Sequence, residues 1–344
     1  MAAAVVLVCV VGLGVGLAFA GTGGPKHHKD GGAHVTTTTT AHLASRLCPL
    51  TGQPARGGVP RRPAIGVKIG NDPASRPQSG LLAADIVYEE MAEGGITRYL
   101  AVFQCRQAAV LGPVRSVRWD DWHVLASYGH PILAFSGGID QWNAMVASLH
   151  WLYDANASFY PMANAYHRTL NRVPPWNLYT STAALWKLDP SDRTPPPPQF
   201  SYSAAPHGGT PVASVTIVNF ASGENVVWKW DGPAHTWKRF YGSSPDVDAS
   251  GVQLHATNVL IQIVHTRPGP YAESGTTPDT ESITAGSGTA YLLRNGVLER
   301  GTWHTPKYGD PMKLLLTNGH TMTLAPGTTW VEMVPTEYAV QFSK

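Results

Sequence analysis

Cysteine is scarce in this chain, three residues in 344, at positions 9, 48 and 105. That scarcity excludes a small disulfide-stapled scaffold, and the absence of any CxxC pair excludes a dithiol redox centre or a cysteine-built zinc site. Charge is scarce too. Only 14% of residues are charged, and 25 basic against 23 acidic side chains leave no field that would gather nucleic acid or anionic lipid. No nucleic-acid partner is expected. HExxH and a phosphate-cradling glycine loop are both missing, and Ser136-Gly137-Gly138 lacks the strand, nucleophile and helix frame of a hydrolase elbow. No cofactor is expected, and no metal site. His27, His28, His34 and His42 lie in a stretch with nothing to fix ligand geometry and read as solvated linker histidines.

What the chain does have begins with an apolar run from Ala2 to Ala20, closing on the small-x-small pattern Ala18-Phe19-Ala20 that signal peptidase accepts. No Lys or Arg precedes the run, so a cleaved signal peptide and an uncleaved membrane anchor both fit, about 20 apolar residues being enough to span. Either way the rest of the chain is expected outside the cytoplasm, secreted or anchored at the cell envelope. Membrane contact is expected only through this segment. Residues 21–47, rich in Thr, Gly and His, have no apolar periodicity and read as a flexible tether. Beyond the leader only Cys48 and Cys105 remain, and in an oxidising compartment they are predicted to pair. Two buried thiols are the alternative.

The remaining length, with 43% hydrophobic residues overall, suits two domains. Residues 48–188 are expected to form a layered mixed domain, α/β or α+β. Strands are predicted near Ala64–Ile69, Ile86–Met91, Arg98–Gln104 and Ile132–Phe135, and amphipathic helices over Trp119–Tyr128 and Asp140–Leu149. Residues 189–213, with four consecutive prolines at Pro195–Pro198, read as an extended linker. Residues 214–340 then carry strand after strand, with Asn295-Gly296 and Asn318-Gly319 between strand pairs, the dipeptide best suited to a tight hairpin. A mainly β domain is expected there, its tryptophans packed in the core.

The run NDPASRPQSGLLAADIVYEEMAEGGITRYLAVFQ from Asn71 to Gln104, with GPVRSVR at Gly112–Arg118, resembles the signature of the YerB-like family of bacterial envelope proteins. Cys48-Pro49-Leu50-Thr51-Gly52 is similar to the family's opening element, and KWDGPAHTWKRFY, NVLIQIV and APGTTWVEMVP resemble its C-terminal domain. The resemblance implies an N-terminal and a C-terminal domain of that type, and many relatives are lipoproteins. Here Cys9 follows Val8 and lacks the small residue a lipidation site wants. The family also has an Arg followed shortly by an Ala-Pro-His-Asn-like element. Arg172 and Asn177 fall on matching positions, and Trp176 stands in place of the histidine.

Candidate chemistry gathers at Asn71, Asp72, Arg76, Glu89, Glu93, Arg98, Arg115, Arg118 and Asp120, an unusual concentration for so weakly charged a chain. Arginines can fork onto a carboxylate or phosphate, and Glu93 can serve as acid or base. Asn71, Arg76, Arg98, Arg115, Arg118 and Asn177 are the candidate ligand-binding residues, with Glu93 the candidate catalytic group. An internal salt-bridge network is the competing reading. The expected function is a binding or scaffolding module for a wall polymer, an anionic ligand or an envelope protein; the alternative is a hydrolase or transferase acting on cell-wall glycan or peptide.

Overall fold

A computed structural model describes residues 47–274 and 277–344. The apolar leader and the tether lie outside the described residues. Among those that are described, no helix is long and apolar enough to cross a membrane.

The first half of the chain supplies β1 (Ile65–Gly70), β2 (Ile86–Met91), β3 (Thr97–Phe103), β4 (Ile132–Phe135), β5 (Tyr153–Asn156), β6 (Tyr166–Arg168) and β7 (Leu178–Thr180). Helices α1 (Trp119–Leu125), α2 (Asp140–Ser148) and α3 (Thr182–Trp186) lie between and after them. The second half supplies β8 (Thr210–Pro211), β9 (Ser214–Ala221), β10 (Glu224–Asp231), β11 (Thr236–Tyr241), β12 (Ser244–Pro245) and β13 (His255–Ala256). It continues with β14 (Asn258–Ser274), β15 (Thr277–Ile283), β16 (Gly286–Arg294), β17 (Val297–Thr305), β18 (Lys313–Leu316), β19 (Thr329–Pro335) and β20 (Val340–Ser343).

The protein is mostly β, built on mixed sheets. The helical layer expected of the first half is thin, because the three helices are only 7, 9 and 5 residues long. Their short apolar faces cover part of a sheet and form no continuous layer. The main sheet runs β18-β17-β16-β14-β19-β2-β3-β1-β4-β5, with β15 added to β14 and β8 to β17. It crosses from one half of the chain to the other at β19, which lies parallel to β2 with Glu332 opposite Glu89. A second sheet, β12-β11-β10-β9-β20 with β13 on β11, comes wholly from the second half.

Both faces of the main sheet are covered, which is why β1, β2, β3 and β19 are buried at every position rather than at alternate ones. Period-2 geometry divides them. Ile65, Val67 and Ile69 of β1, Tyr99, Ala101 and Phe103 of β3 and Trp330 of β19 join one core with Val215, Trp228 and Trp237 of the second sheet. Leu100, Val102, Val331 and Met333 point the other way, into a core with Trp122 and Leu125 of α1 and Trp142 and Val146 of α2. Trp228, Trp237, Trp303 and Trp330 are buried, so the tryptophans of this half serve packing. The proline-rich segment is docked rather than free: Phe200 enters the second core, and the Gln199 side chain bonds Ser127.

Candidate functional site

The predicted constellation divides into three clusters. The first surrounds Asn71, directly after β1. Its buried side-chain amide donates to Glu89 Oε1 at 3.0 Å and Thr97 Oγ1 at 2.7 Å, while its oxygen accepts from Tyr241 OH at 2.7 Å and Gln78 Nε2 at 3.0 Å. Every polar atom of that amide is used inside the protein. Glu89 continues the chain of contacts to Arg239 Nη2 at 2.6 Å, and Arg239 also pairs with Asp246 and lies 3.9 Å from Glu332. Arg76 stacks over the Tyr241 ring at 3.6 Å and pairs with Glu224. Asn71 and Arg76 thus join the two halves of the chain rather than lining an open cleft.

The second cluster holds Glu93, Arg98 and Arg118. Glu93 opens the short turn between β2 and β3, and its carboxylate meets Arg98 Nη2 at 2.7 Å and Arg118 Nη2 at 2.6 Å. Burial alone would raise its pKa; the two guanidinium groups outweigh that and hold it below the ordinary glutamate range. A carboxylate fixed in this way stays ionised and has no proton to give near neutral pH. Arg118 also lies 3.4 Å from Asp279 of β15, whose own carboxyl is pushed up to about 6 chiefly by burial. Behind them Lys68 of β1 pairs with Glu90 and lies 3.0 Å from Asp121 of α1, all fully buried. Asp121 accepts from the Arg118 backbone N–H at 2.6 Å, closing the first turn of α1, and Asp120 accepts from the Ser282 N–H at 2.9 Å. This cluster is an internal ion-pair network that locks α1 and β15 onto the sheet.

The third cluster is open to solvent. Arg115 is held by its backbone, donating to Lys68 O at 3.0 Å and accepting from Ser136 N–H at 2.9 Å. Its guanidinium reaches Asp72 Oδ2 at 3.1 Å, and Trp176 Nε1 donates to Asp72 Oδ1 at 2.7 Å. Trp176 therefore occupies the expected histidine position as a hydrogen-bond donor that cannot act as a base. Arg172 donates to the backbone oxygens of Ser75 and Arg76 at 2.8 and 2.7 Å, binding the β6–β7 hairpin to the loop after β1. Asn177 is buried and accepts from Arg168 Nη1 at 2.7 Å. Between these elements lies a groove of about 150 Å³ lined by Arg115, Ser116, Ser136, Arg168, Pro174 and Pro175.

Of the sequence-predicted residues, Arg115 reaches this groove directly and Asn177 reaches it through Arg168. Sequence reasoning missed Arg168, Ser116 and Ser136 as a set, although a short strand carrying an exposed arginine beside a proline pair was the available signal. Among the described residues neither Arg168 nor Arg172 forms an ion pair; Arg168 lines this groove bonded only to the neutral Asn177 side chain, while Arg172, bonded only to backbone oxygens, lines a separate depression beside Trp176. The predicted disulfide is present, joining Cys48 and Cys105 with 5.9 Å between their Cα atoms.

A 70-residue stretch is 51% identical to the Bacillus subtilis (strain 168) protein named "Putative lipoprotein YerB", covering 20% of this chain and 21% of that protein. The stretch thus spans about a fifth of that relative's length. A crystal structure of the YerB protein from Bacillus subtilis superposes with a TM-score of 0.71 at 23% identity, covering 86% of this chain and 99% of the other, which establishes a shared fold. Residues 50–194 match the N-terminal domain, and residues 216–331 the C-terminal domain, of a protein family of unknown function, DUF3048, and the chain belongs to that family.

Proposed function

We propose that this is an extracytoplasmic binding module that holds an anionic group of a cell-wall polymer at the groove between Arg115 and Arg168. The observation that carries the reading is the Arg168 guanidinium, which has no ion-pair partner among the described residues and lines a groove that also offers Arg115 and the Ser116 and Ser136 hydroxyls. Guanidinium forks match carboxylate and phosphate oxygens, and prolines on the opposing wall give a rigid surface against which a chain can lie. The volume suits a single phosphate or carboxylate presented by a longer chain. An envelope setting is supported by the apolar leader, the disulfide and the name carried by the Bacillus relative. The hydrolase or transferase alternative is less well supported, because Glu93 is tied to two arginines and is not among the residues that line this groove.

The test is retention of the protein on purified wall sacculi across a salt series. Losing one charge-assisted contact is expected to weaken retention by about tenfold or more in Arg168→Ala, and comparably in Arg115→Ala. Thermal melting of Arg168→Ala should stay within a few degrees of wild type, since that side chain is exposed, whereas Arg115→Ala is expected to melt lower because Arg115 is only 16% exposed and pairs with Asp72. Equal retention by wild type and both variants would remove this groove as the site, and release of soluble fragments would favour the enzymatic alternative.

A further inference from the structure

His130 lies in the turn before β4, and Asp189 and Asp192 lie where α3 gives way to the proline-rich segment. One donor atom from each residue comes within 4.8 Å of the other two, although nearly sixty residues separate the histidine from the aspartates in sequence. His130 Nδ1 is 3.8 Å from Asp192 Oδ2, too far for a hydrogen bond, so the groups leave a gap between them. The other ring nitrogen, Nε2, faces the backbone oxygen of His150 at 3.1 Å. A carbonyl only accepts, so Nε2 is the donor there, which leaves Nδ1 as the ring nitrogen facing the carboxylates and available to a metal. That is the way a backbone carbonyl orients a metal-ligating histidine. Each aspartate is steadied in turn: Asp189 Oδ1 accepts from Ser191 Oγ at 2.8 Å and Asp192 Oδ1 from the Thr194 N–H at 2.7 Å. The second oxygen of each has no hydrogen bond among the described residues.

We propose that His130, Asp189 and Asp192 form a binding site for a divalent transition cation of the zinc class, which fastens the start of the proline-rich segment to the turn that leads into β4 of the main sheet. The donor set decides the class. Calcium and magnesium take all-oxygen shells, whereas an imidazole beside two carboxylates suits zinc and its neighbours. Two carboxylates also neutralise a divalent charge. Zinc bonds of about 2.0–2.2 Å place tetrahedral donors roughly 3.3 Å apart, so the His130–Asp192 pair needs to close by only about half an ångström. The imidazole is 47% exposed, which leaves outward positions for water.

The experiment is calorimetric titration of Zn²⁺ into the full chain, with His27, His28, His34 and His42 replaced by Ala to remove tether binding. Thermal melting is followed in parallel. The expected result is one bound ion per chain and a raised melting temperature. Binding should be weakened at least about tenfold, with the melting shift lost, in His130→Ala and again in Asp192→Asn. Asp192→Asn keeps the side chain's shape, and its melting without metal should match the parent, so lost binding cannot be traced to misfolding. A hundredfold excess of Ca²⁺ should not displace the zinc. Absence of saturable binding in the parent, unchanged binding in both variants, or displacement by Ca²⁺ would overturn the proposal.

Discussion

Glu89 and Glu332 are two buried carboxyls in register on neighbouring strands, and they do different work. Glu89 is bonded to Asn71, Thr97 and Arg239. Glu332 is pushed well above the usual range by burial and by the nearby Glu89 charge, so it keeps its proton and hydrogen-bonds Glu89, while its Oε1 accepts from Trp228 Nε1 at 2.7 Å. A glutamine reproduces both contacts at position 332 but not the charge needed at position 89. Glu89→Gln strands the Arg239 guanidinium beside a weakened partner and is expected to destabilise by about 3–5 kcal/mol in urea melts at pH 7. Glu332→Gln is expected to be at least as stable as wild type there. The sign follows from linkage. Unfolded Glu332 ionises near pH 4.3 while the folded residue keeps its proton, so the folded state binds more protons and wild-type stability falls as pH rises above that value. Glu332→Gln should lack this decline, and parallel stability–pH curves for the two proteins would show that Glu332 is ionised in the fold.

At the scale of elements, the Cys48–Cys105 bridge closes the opening turn onto the end of β3 across a separation of 57 residues. The chain-entropy relation gives a loop of that length about 4 kcal/mol, so Cys105→Ser should lower the unfolding free energy by roughly that amount, with the folded circular dichroism spectrum retained. A change below about 1 kcal/mol would mean that the reduced chain already keeps these ends together. Local rules made much of the architecture legible. Asn295 and Gly296 take positive φ of 49° and 75° and join β16 to β17 in a two-residue turn, and β1 to β4, α1 and α2 lie within a residue or a few of their expected positions. The rules failed where distant packing decides. The arm formed by β14 and β15 carries Pro268, Pro270 and Pro278, which argue against strands, yet it is held on the sheet by Asp279 and by the Ser282 N–H bond to Asp120. Thr321–Leu324 reads as a strand but forms only isolated bridges, at Thr321 and Leu324. Site residues followed the same division. Arg115 stands in a recognisable motif, whereas Arg168 meets it only because the β6–β7 hairpin folds back. Lys68 and Glu90 sit in apolar runs and find their partners through the sheet.

At the scale of the molecule, the chain's two matched regions, 50–194 and 216–331, share one sheet and one core. The junction lies at β2, whose six residues are all buried between β3 and β19. Without β19, β2 becomes an open edge of backbone donors and acceptors, ready to pair with any other chain. The loss of apolar packing is larger still. Trp228, Trp237, Trp330, Val331 and Met333 all come from the second half and pack in cores that include residues of the first. Large side chains contribute about 1.5–3 kcal/mol each when fully buried, and a domain's whole stability is about 5–15 kcal/mol. Removing several of them therefore leaves the first half without a margin. Residues 47–194 expressed alone are expected to give no cooperative thermal transition and to self-associate in sedimentation measurements. Mixing them with residues 195–344 should restore near-ultraviolet circular dichroism and a single transition. A sharp, concentration-independent melt of residues 47–194 alone, close to that of the whole protein, would show that the β2–β19 seam contributes little and that the first half is a self-sufficient folding unit.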